Sequence, residues 1–483
     1  MFQPNLAVSS FFLVGRSENL NMIISIMIIM IIKFVNREKE LKALKERLKS
    51  DNFEFVVIYG RRRIGKTRLI LESIKDEEHV YYLAIEGDNL KHFKRVASQV
   101  INELNYAEES WESYFNFLKD KIVVIDEFPN LIKENPKVVS EFQKIVDSLL
   151  KDTKTKFFIL GSSVSIINNK ILSYKSPLYG RKTGVLKLKP MNFFDIQGFF
   201  PSSSLEELIE IYGFADGIPY YLEKIVPPFW KWLENELERA DSFLRYEVDF
   251  LMKYEFEDVT TYKKILEAVA FGKTSLKEIR DYLEIRHSDI TPYLSNLIET
   301  EFLERVVPVT ESHKSKRGRY VIQDNFIRFW FRFIFPNLSL IEENSFDVRE
   351  IKREYSQYLG CVFERVCKEM LINLNKKGRL PFKFTKIGGW WHKAKEIDLI
   401  ALNELTKEIL FAECKWKDNV NAERIAKDMV RNKIPYVRWY SDKRREYIAI
   451  FAKSFRKKLE EFDGRKIYCF DLKDMQKLAD LFK

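Results

Sequence analysis

The chain has 483 residues, 46% hydrophobic and 31% charged, which excludes a disordered chain and leaves room for about three domains with cores of their own. Its four cysteines, Cys361, Cys367, Cys414 and Cys469, include no CxxC pair, which excludes a zinc ribbon or a disulfide scaffold and points to a reducing cytoplasm. The formal net charge of +10 is lodged at one end: residues 351–483 hold 31 Lys and Arg against 19 Asp and Glu, the remainder 50 against 52. Such an excess suits a phosphate backbone as partner, the alternative being a solvated lysine-rich surface.

In chain order, the first feature is "MIISIMIIMII" at residues 22–32, eleven apolar residues where a membrane-spanning helix needs about 20. No small-residue cleavage site follows it. Residues 1–29 read as an upstream extension, with the first domain opening at Met30, and no membrane association is expected; an anchor is the alternative. Next comes "FVVIYGRRRIGKT", an apolar strand at 55–59 leading into Gly60, Arg61, Arg62, Arg63, Ile64, Gly65, Lys66 and Thr67, with a helical pattern behind it. This is the Walker A spacing in its strand–loop–helix setting. Its backbone N–H groups cradle phosphates, Lys66 reaches the terminal ones, and Thr67 ligates Mg²⁺. "KIVVIDEFPNL" then ends a buried strand with Asp126, a Mg²⁺ partner, and Glu127, placed to polarise water. "KFFILGSSVSII" ends another with Ser162 and Ser163, hydroxyls that either touch a γ-phosphate or cap a helix.

Together "FVNREKEL", "YGRRRIGKT", "DEFPNL", "SPLYGRKTG" and "GIPYYL" resemble, in order, an archaeal ATPase family of the AAA+-related, STAND-like P-loop ATPases. That resemblance implies ATP and Mg²⁺ as cofactors. It makes Arg181 the arginine finger or sensor and puts Gly217 and Pro219 in a helical lid. A surface charge in a turn is the other reading of Arg181.

Residues 259–336 read as three amphipathic helices and two strands, a winged helix. Its wing offers Lys314, Lys316, Arg317 and Arg319 to phosphates. The third helix, with Asp289 and Glu299 and no Lys or Arg, is a weak groove reader; protein docking is as good a use for it. "FIRFWFRFIFPN" reads as an interdomain packing helix closed by Pro336, and Cys361 and Cys367 as buried helix residues.

In "EIDLIALNELTKEILFAECKW" charged residues interrupt two strand-like runs. A turn centred near Leu405 and Thr406 puts Asp398 opposite Glu413, with Lys415 on the same face and Cys414 on the other. Carboxylates about 5 Å apart across strands can share one hard cation. The stretch resembles the PD-(D/E)xK nuclease superfamily, set in a helix, three strands, helix, strand order. That resemblance adds Glu364 as a further metal-site acid, and "GGWWHKAKEID" is similar to the C-terminal domain of the same archaeal ATPases.

The expected architecture is α/β and multidomain. It comprises a P-loop parallel-sheet ATPase core (30–200), a helical lid (201–258), the winged helix (259–336), a linker (337–349) and a restriction-endonuclease-like α/β domain (350–483). The expected function is ATP hydrolysis at Lys66, Thr67, Asp126, Glu127, Ser162 and Arg181, coupled to metal-dependent cleavage of nucleic acid, DNA above all, at Asp398, Glu413, Lys415 and Glu364. Self-association is compatible with it. The alternatives are a STAND-like regulatory switch that binds nucleic acid or protein without cutting, and a protein-binding scaffold.

Overall fold

The computed structural model describes residues 34–285 and 289–482; the apolar run at 22–32 and the start at Met30 lie outside them. Among the described residues no helix is long and apolar enough to cross a membrane.

Five parallel strands, β1 (Glu54–Tyr59), β2 (His79–Leu83), β3 (Ile122–Asp126), β4 (Lys156–Gly161) and β5 (Gly184–Lys187), form a sheet in the order β2-β3-β4-β1-β5. Each central strand is apolar on both sides because helices cover both faces. Phe55, Val57, Val123, Ile125, Phe157 and Ile159 enter an aromatic core with Phe93, Phe115 and Phe142. Their neighbours Val56, Ile58, Val124, Phe158 and Leu160 meet Leu44, Leu69 and Ile70 on the opposite face.

The chain then turns helical. The helix Leu205–Ala215 leads to Asp216, Gly217, Ile218 and Pro219. Gly217 is needed for close approach: its carbonyl accepts from the Met191 N–H at 2.7 Å, and a Cβ would overlap the Met191 carbonyl. Three helices, Thr260–Ala270, Leu276–Tyr282 and Thr291–Glu299, precede an antiparallel ribbon of β6 (Leu303–Val306) and β7 (Arg319–Ile322). The aromatic stretch that follows is core: Phe326, Phe329, Trp330 and Phe331 are fully buried, and the Trp330 indole donates to the Leu244 carbonyl at 2.6 Å.

A 29-residue helix, Val348–Lys376, then joins the two ends of the molecule. On one side Tyr355 and Tyr358 donate to the carbonyls of Glu210 and Gly213 at 2.7 and 2.8 Å. On the other, Val362, Phe363, Val366 and Cys367 pack with Leu399, Ala401, Ala412 and Cys414 of a mixed sheet. That sheet contains β8 (Lys386–His392), β9 (Lys395–Asn403), β10 (Glu408–Lys415), β12 (Arg445–Ala452), β14 (Glu461–Phe462) and β15 (Arg465–Phe470), in the order β14-β15-β12-β10-β9-β8. A small parallel pair, β11 (Val420–Asn421) and β13 (Phe455–Lys457), lies outside it. The helix Ala422–Asp428 covers the second face through Ala422 and Ala426, against Ile400, Phe411 and Ile450.

Two expectations are corrected here. Cys361 is exposed while Cys367 is buried, because six residues along a helix is about 240° of rotation and only one can face the sheet. Arg317 and Arg319 are not free for phosphates. The Arg317 guanidinium donates to the Trp391 carbonyl at 2.8 Å, and Arg319 pairs with Glu396 at 2.8 Å, so the ribbon is docked on the C-terminal sheet.

Candidate functional site

The loop between β1 and the helix Lys66–Ile74 is built for close backbone packing. Gly65 precedes the helix at φ 88°, a region that costs a side chain but not glycine. Buried Lys66 donates through Nζ to the carbonyls of Gly60 and Arg61 at 2.9 and 3.0 Å. Burial pulls its pKa down to about 8, with Glu127 and Asp126 opposing, because desolvation disfavours the charge. Thr67 Oγ1 donates to Asp126 Oδ2 at 2.6 Å, as does the Tyr81 hydroxyl at 2.9 Å. Burial, with Glu127 beside it, raises the Asp126 pKa. A helix-start hydroxyl and a buried carboxylate oxygen in contact are hard oxygen donors that fit Mg²⁺.

Glu127 accepts from Ser162 Oγ at 2.6 Å and from the Tyr254 hydroxyl at 3.2 Å. Ser162 thus sits with the water-polarising candidate, whereas Ser163 accepts from Ile166 N and caps a helix. The three loop arginines turn outward to other elements. Arg61 pairs with Asp324 at 3.0 Å, Arg62 stacks 3.5 Å from the Tyr254 ring centre, and Arg63 bonds Glu247 through two nitrogens at 2.9 and 3.1 Å. Arg181 is not brought to this group: it bonds Asp147 and the Pro177 and Tyr179 carbonyls.

The second cluster lies at the end of β9 and β10. Their pairing runs from Glu408–Asn403 to Ala412–Leu399, and the next pair in that register is Asp398 with Glu413. Lys415 Nζ stands 3.1 Å from Asp398 Oδ2 and 2.6 Å from Glu413 Oε2. Asp398 Oδ2 also accepts from Cys414 N at 2.7 Å. Sequence reasoning missed Lys433, whose ammonium lies 2.6 Å from Glu413 Oε1; twenty residues separate the two, and no motif links them. Tyr254, 127 residues from Glu127, was likewise invisible.

Glu413 is 1% exposed, and burial and Asp398 raise its pKa while Lys415 and Lys433 oppose them. Burial works against the charge on Lys415, yet Asp398 and Glu413 together push its pKa up. Glu364 comes from the long helix on the sheet's other face; burial, then Asp398 and Glu396, push it up to about 8. Among the described residues no three acidic, His or Cys groups are placed to hold a metal ion together, so Glu364, though near enough for Asp398 to raise its pKa, does not complete a three-acid site. Asp398 and Glu413 do fit a cation, because both already converge on the one ammonium of Lys415.

A parallel sheet in this strand order, with a phosphate loop at the end of β1 and adjacent acids at the end of β3, defines a P-loop ATPase. Residues 34–225 match the ATPase domain found predominantly in Archaea, and residues 330–426 match a domain of archaeal and bacterial proteins of unknown function. An uncharacterized protein of Methanocaldococcus jannaschii is 63% identical over 444 residues, covering 91% of this chain and 99% of its own. The chain belongs to the same archaeal family as that protein, and its N-terminal part is an ATP-hydrolysing domain. An uncharacterized ATP-binding protein of the same organism is 38% identical over 48 residues, covering 10% of this chain and 81% of its own. The Walker-type ATPase of Pyrococcus abyssi overlaps 62% of this chain and 96% of its own at 22% identity, with a TM-score of 0.49.

Proposed function

We propose that this protein couples ATP hydrolysis to metal-dependent cleavage of a nucleic-acid phosphodiester, with DNA the favoured substrate. One observation carries the second half: two carboxylates from adjoining strands and a lysine from one of them meet at a single point, within 3.1 Å. The chain order around that point, long helix, three antiparallel strands, helix and parallel strand, supports a restriction-endonuclease-like domain. Helix and ribbon segments ahead of it support a winged helix.

At the first site Lys66 would hold the β- and γ-phosphates, Thr67 and Asp126 the Mg²⁺, and Glu127 a water in line with the γ-phosphate. Ser162 would report the γ-phosphate to Glu127, to which it is bonded. Arg181 would join only after leaving Asp147. At the second site Asp398 and Glu413 would hold a Mg²⁺ ion, which supplies an activated water and charge neutralisation on the phosphate. Lys415, kept charged by those acids, would stabilise the charge that develops on the phosphate oxygens. Glu364 would enter from behind the pair.

A regulatory switch that does not cut is the second reading. It is favoured by the outward arginines of the phosphate loop and by Tyr254 on Glu127, contacts that tie the ATPase site to the rest of the chain. Side-by-side ATPase and nuclease assays on wild type, Lys66→Ala and Glu413→Ala separate the two. The cleavage reading expects Mg²⁺- or Mn²⁺-dependent nicking that Glu413→Ala abolishes while ATPase activity survives. Wild-type ATPase activity with no nicking of duplex or single strands leaves the switch.

A further inference from the structure

The ribbon loop and the turn between β8 and β9 are joined into one surface. Val309 N donates to the Gly389 carbonyl at 3.0 Å. Arg317 reaches the Trp391 carbonyl and His392 Nδ1, each at 2.8 Å, and its own carbonyl accepts from the Trp391 indole at 3.0 Å. Arg319 lies 4.5 Å from the Trp391 ring centre while pairing with Glu396. Trp391 is therefore covered and only 9% exposed.

The charges on this surface divide by residue type. Residues 309–319 and 389–396 hold six Lys and Arg and two carboxylates. Both carboxylates are taken by arginines, Glu311 by Arg317 and Glu396 by Arg319. Lys314, Lys316 and Lys393 are exposed, and no carboxylate among the described residues is paired with any of them. Arginines hold the two elements together, and three of the four lysines are left facing solvent. Asp398 follows Glu396 by two residues on β9, about 7 Å along the strand, at the point where the β8–β9 register shifts, so the docked surface and the acid pair share one strand.

We propose that the ribbon loop and the β8–β9 turn form a single phosphate-binding ridge, on which Lys314, Lys316 and Lys393 grip the backbone of the nucleic acid. Seating the strand there delivers a phosphodiester to Asp398 and Glu413; that delivery rests on the cleavage reading, whereas the grip does not. The ribbon acts as a fixed arm of the C-terminal domain and not as an independent reader of a groove. Lysines suit this use because each neutralised phosphate releases condensed counterion and carries no base preference.

The test measures binding of the full-length protein to fluorescent duplex and single-stranded oligonucleotides in EDTA, over a range of salt concentrations. It compares wild type with the triple variant Lys314→Glu, Lys316→Glu, Lys393→Glu. A control with the same change of charge carries Lys457→Glu, Lys466→Glu and Lys473→Glu, exposed residues near the opposite edge of the sheet. The ridge variant is expected to raise Kd at least tenfold on one or both oligonucleotides, and to flatten the log Kd against log salt slope by about 2–3, roughly 0.9 per lost phosphate contact. The control should change neither by as much as half of that. Equal losses in both variants, an unchanged Kd and slope in the ridge variant, or no wild-type binding of either oligonucleotide overturns the ridge. Binding lost as expected, beside wild-type protein that cuts nothing in Mg²⁺, keeps the ridge and sinks the nuclease.

Discussion

Lys66, buried at the start of the helix that follows β1, and Lys415, half-buried at the end of β10, have opposite electrical settings. Lys66 donates to two carbonyl oxygens, and burial pulls its pKa down to about 8. Lys415 lies between two carboxylates that push its pKa up, and a second ammonium, Lys433, shares one of them. In the first region Asp126, Glu127 and Glu255 act on the ammonium without outweighing its burial, which suits an anionic partner. The second gathers carboxylates that already hold cations. On the proposed function the same residue type would mark a triphosphate site in one region and a cation site in the other, and the neighbours would decide which.

The sharpest way to break this contrast is Lys66→Ala, which should lower the ATPase kcat by about 100-fold or more, as loss of a preorganised charge does, with the thermal midpoint little changed. Retained turnover would mean that the ammonium is not the anion's partner. In that Lys66→Ala background, Asp398→Asn should weaken Mn²⁺ binding about 100-fold by electron paramagnetic resonance titration, because one of two hard oxygen ligands becomes a poor one. Replacing Lys433 by Met should act in the other direction, tightening Mn²⁺ about 10-fold, since an ammonium that competes for Glu413 is gone. The smallest effect concerns protons. At pH 8 about half of Lys66 is deprotonated, and a bound triphosphate restores the charge. Calorimetry in buffers of different ionisation enthalpy should show uptake of about half a proton at pH 8, falling towards none at pH 6. Release of protons, or uptake that grows as pH falls, would reverse the sign.

Much of the geometry at both clusters was legible because its signals are local. Strand, loop and helix around Gly60 to Thr67 are contiguous, and a short turn at Leu405 and Thr406 fixes the register that puts Asp398 beside Glu413. Contacts made across the molecule left no such trace. Nothing near Arg61, Arg62 and Arg63 names Asp324, Tyr254 or Glu247 as partners, and an arginine-rich loop reads equally well as phosphate-binding. Arg317 and Arg319 were misjudged for the same reason: a basic loop announces charge, and only the neighbouring sheet reveals that two of its four charges are spent on docking. Helical phase explains Cys361, where composition alone suggested burial.

The long helix has a bearing on how the molecule can be divided. Glu364, whose pKa Asp398 and Glu396 help to raise, is followed immediately by Arg365, which pairs with Asp216 at 3.0 Å and donates to the Asn325 side chain at 2.7 Å. Asp216 is 1% exposed and stands beside Gly217, whose carbonyl accepts from Met191 N. A truncation that ends before Val348 strips that carboxylate of its guanidinium, and an unpaired buried charge costs about 3–5 kcal/mol. A fragment that begins at the helix carries the reciprocal wound. The ATPase and its C-terminal partner are therefore not severable modules joined by a tether; they share a spine, and dissecting their activities calls for point substitutions in the intact chain.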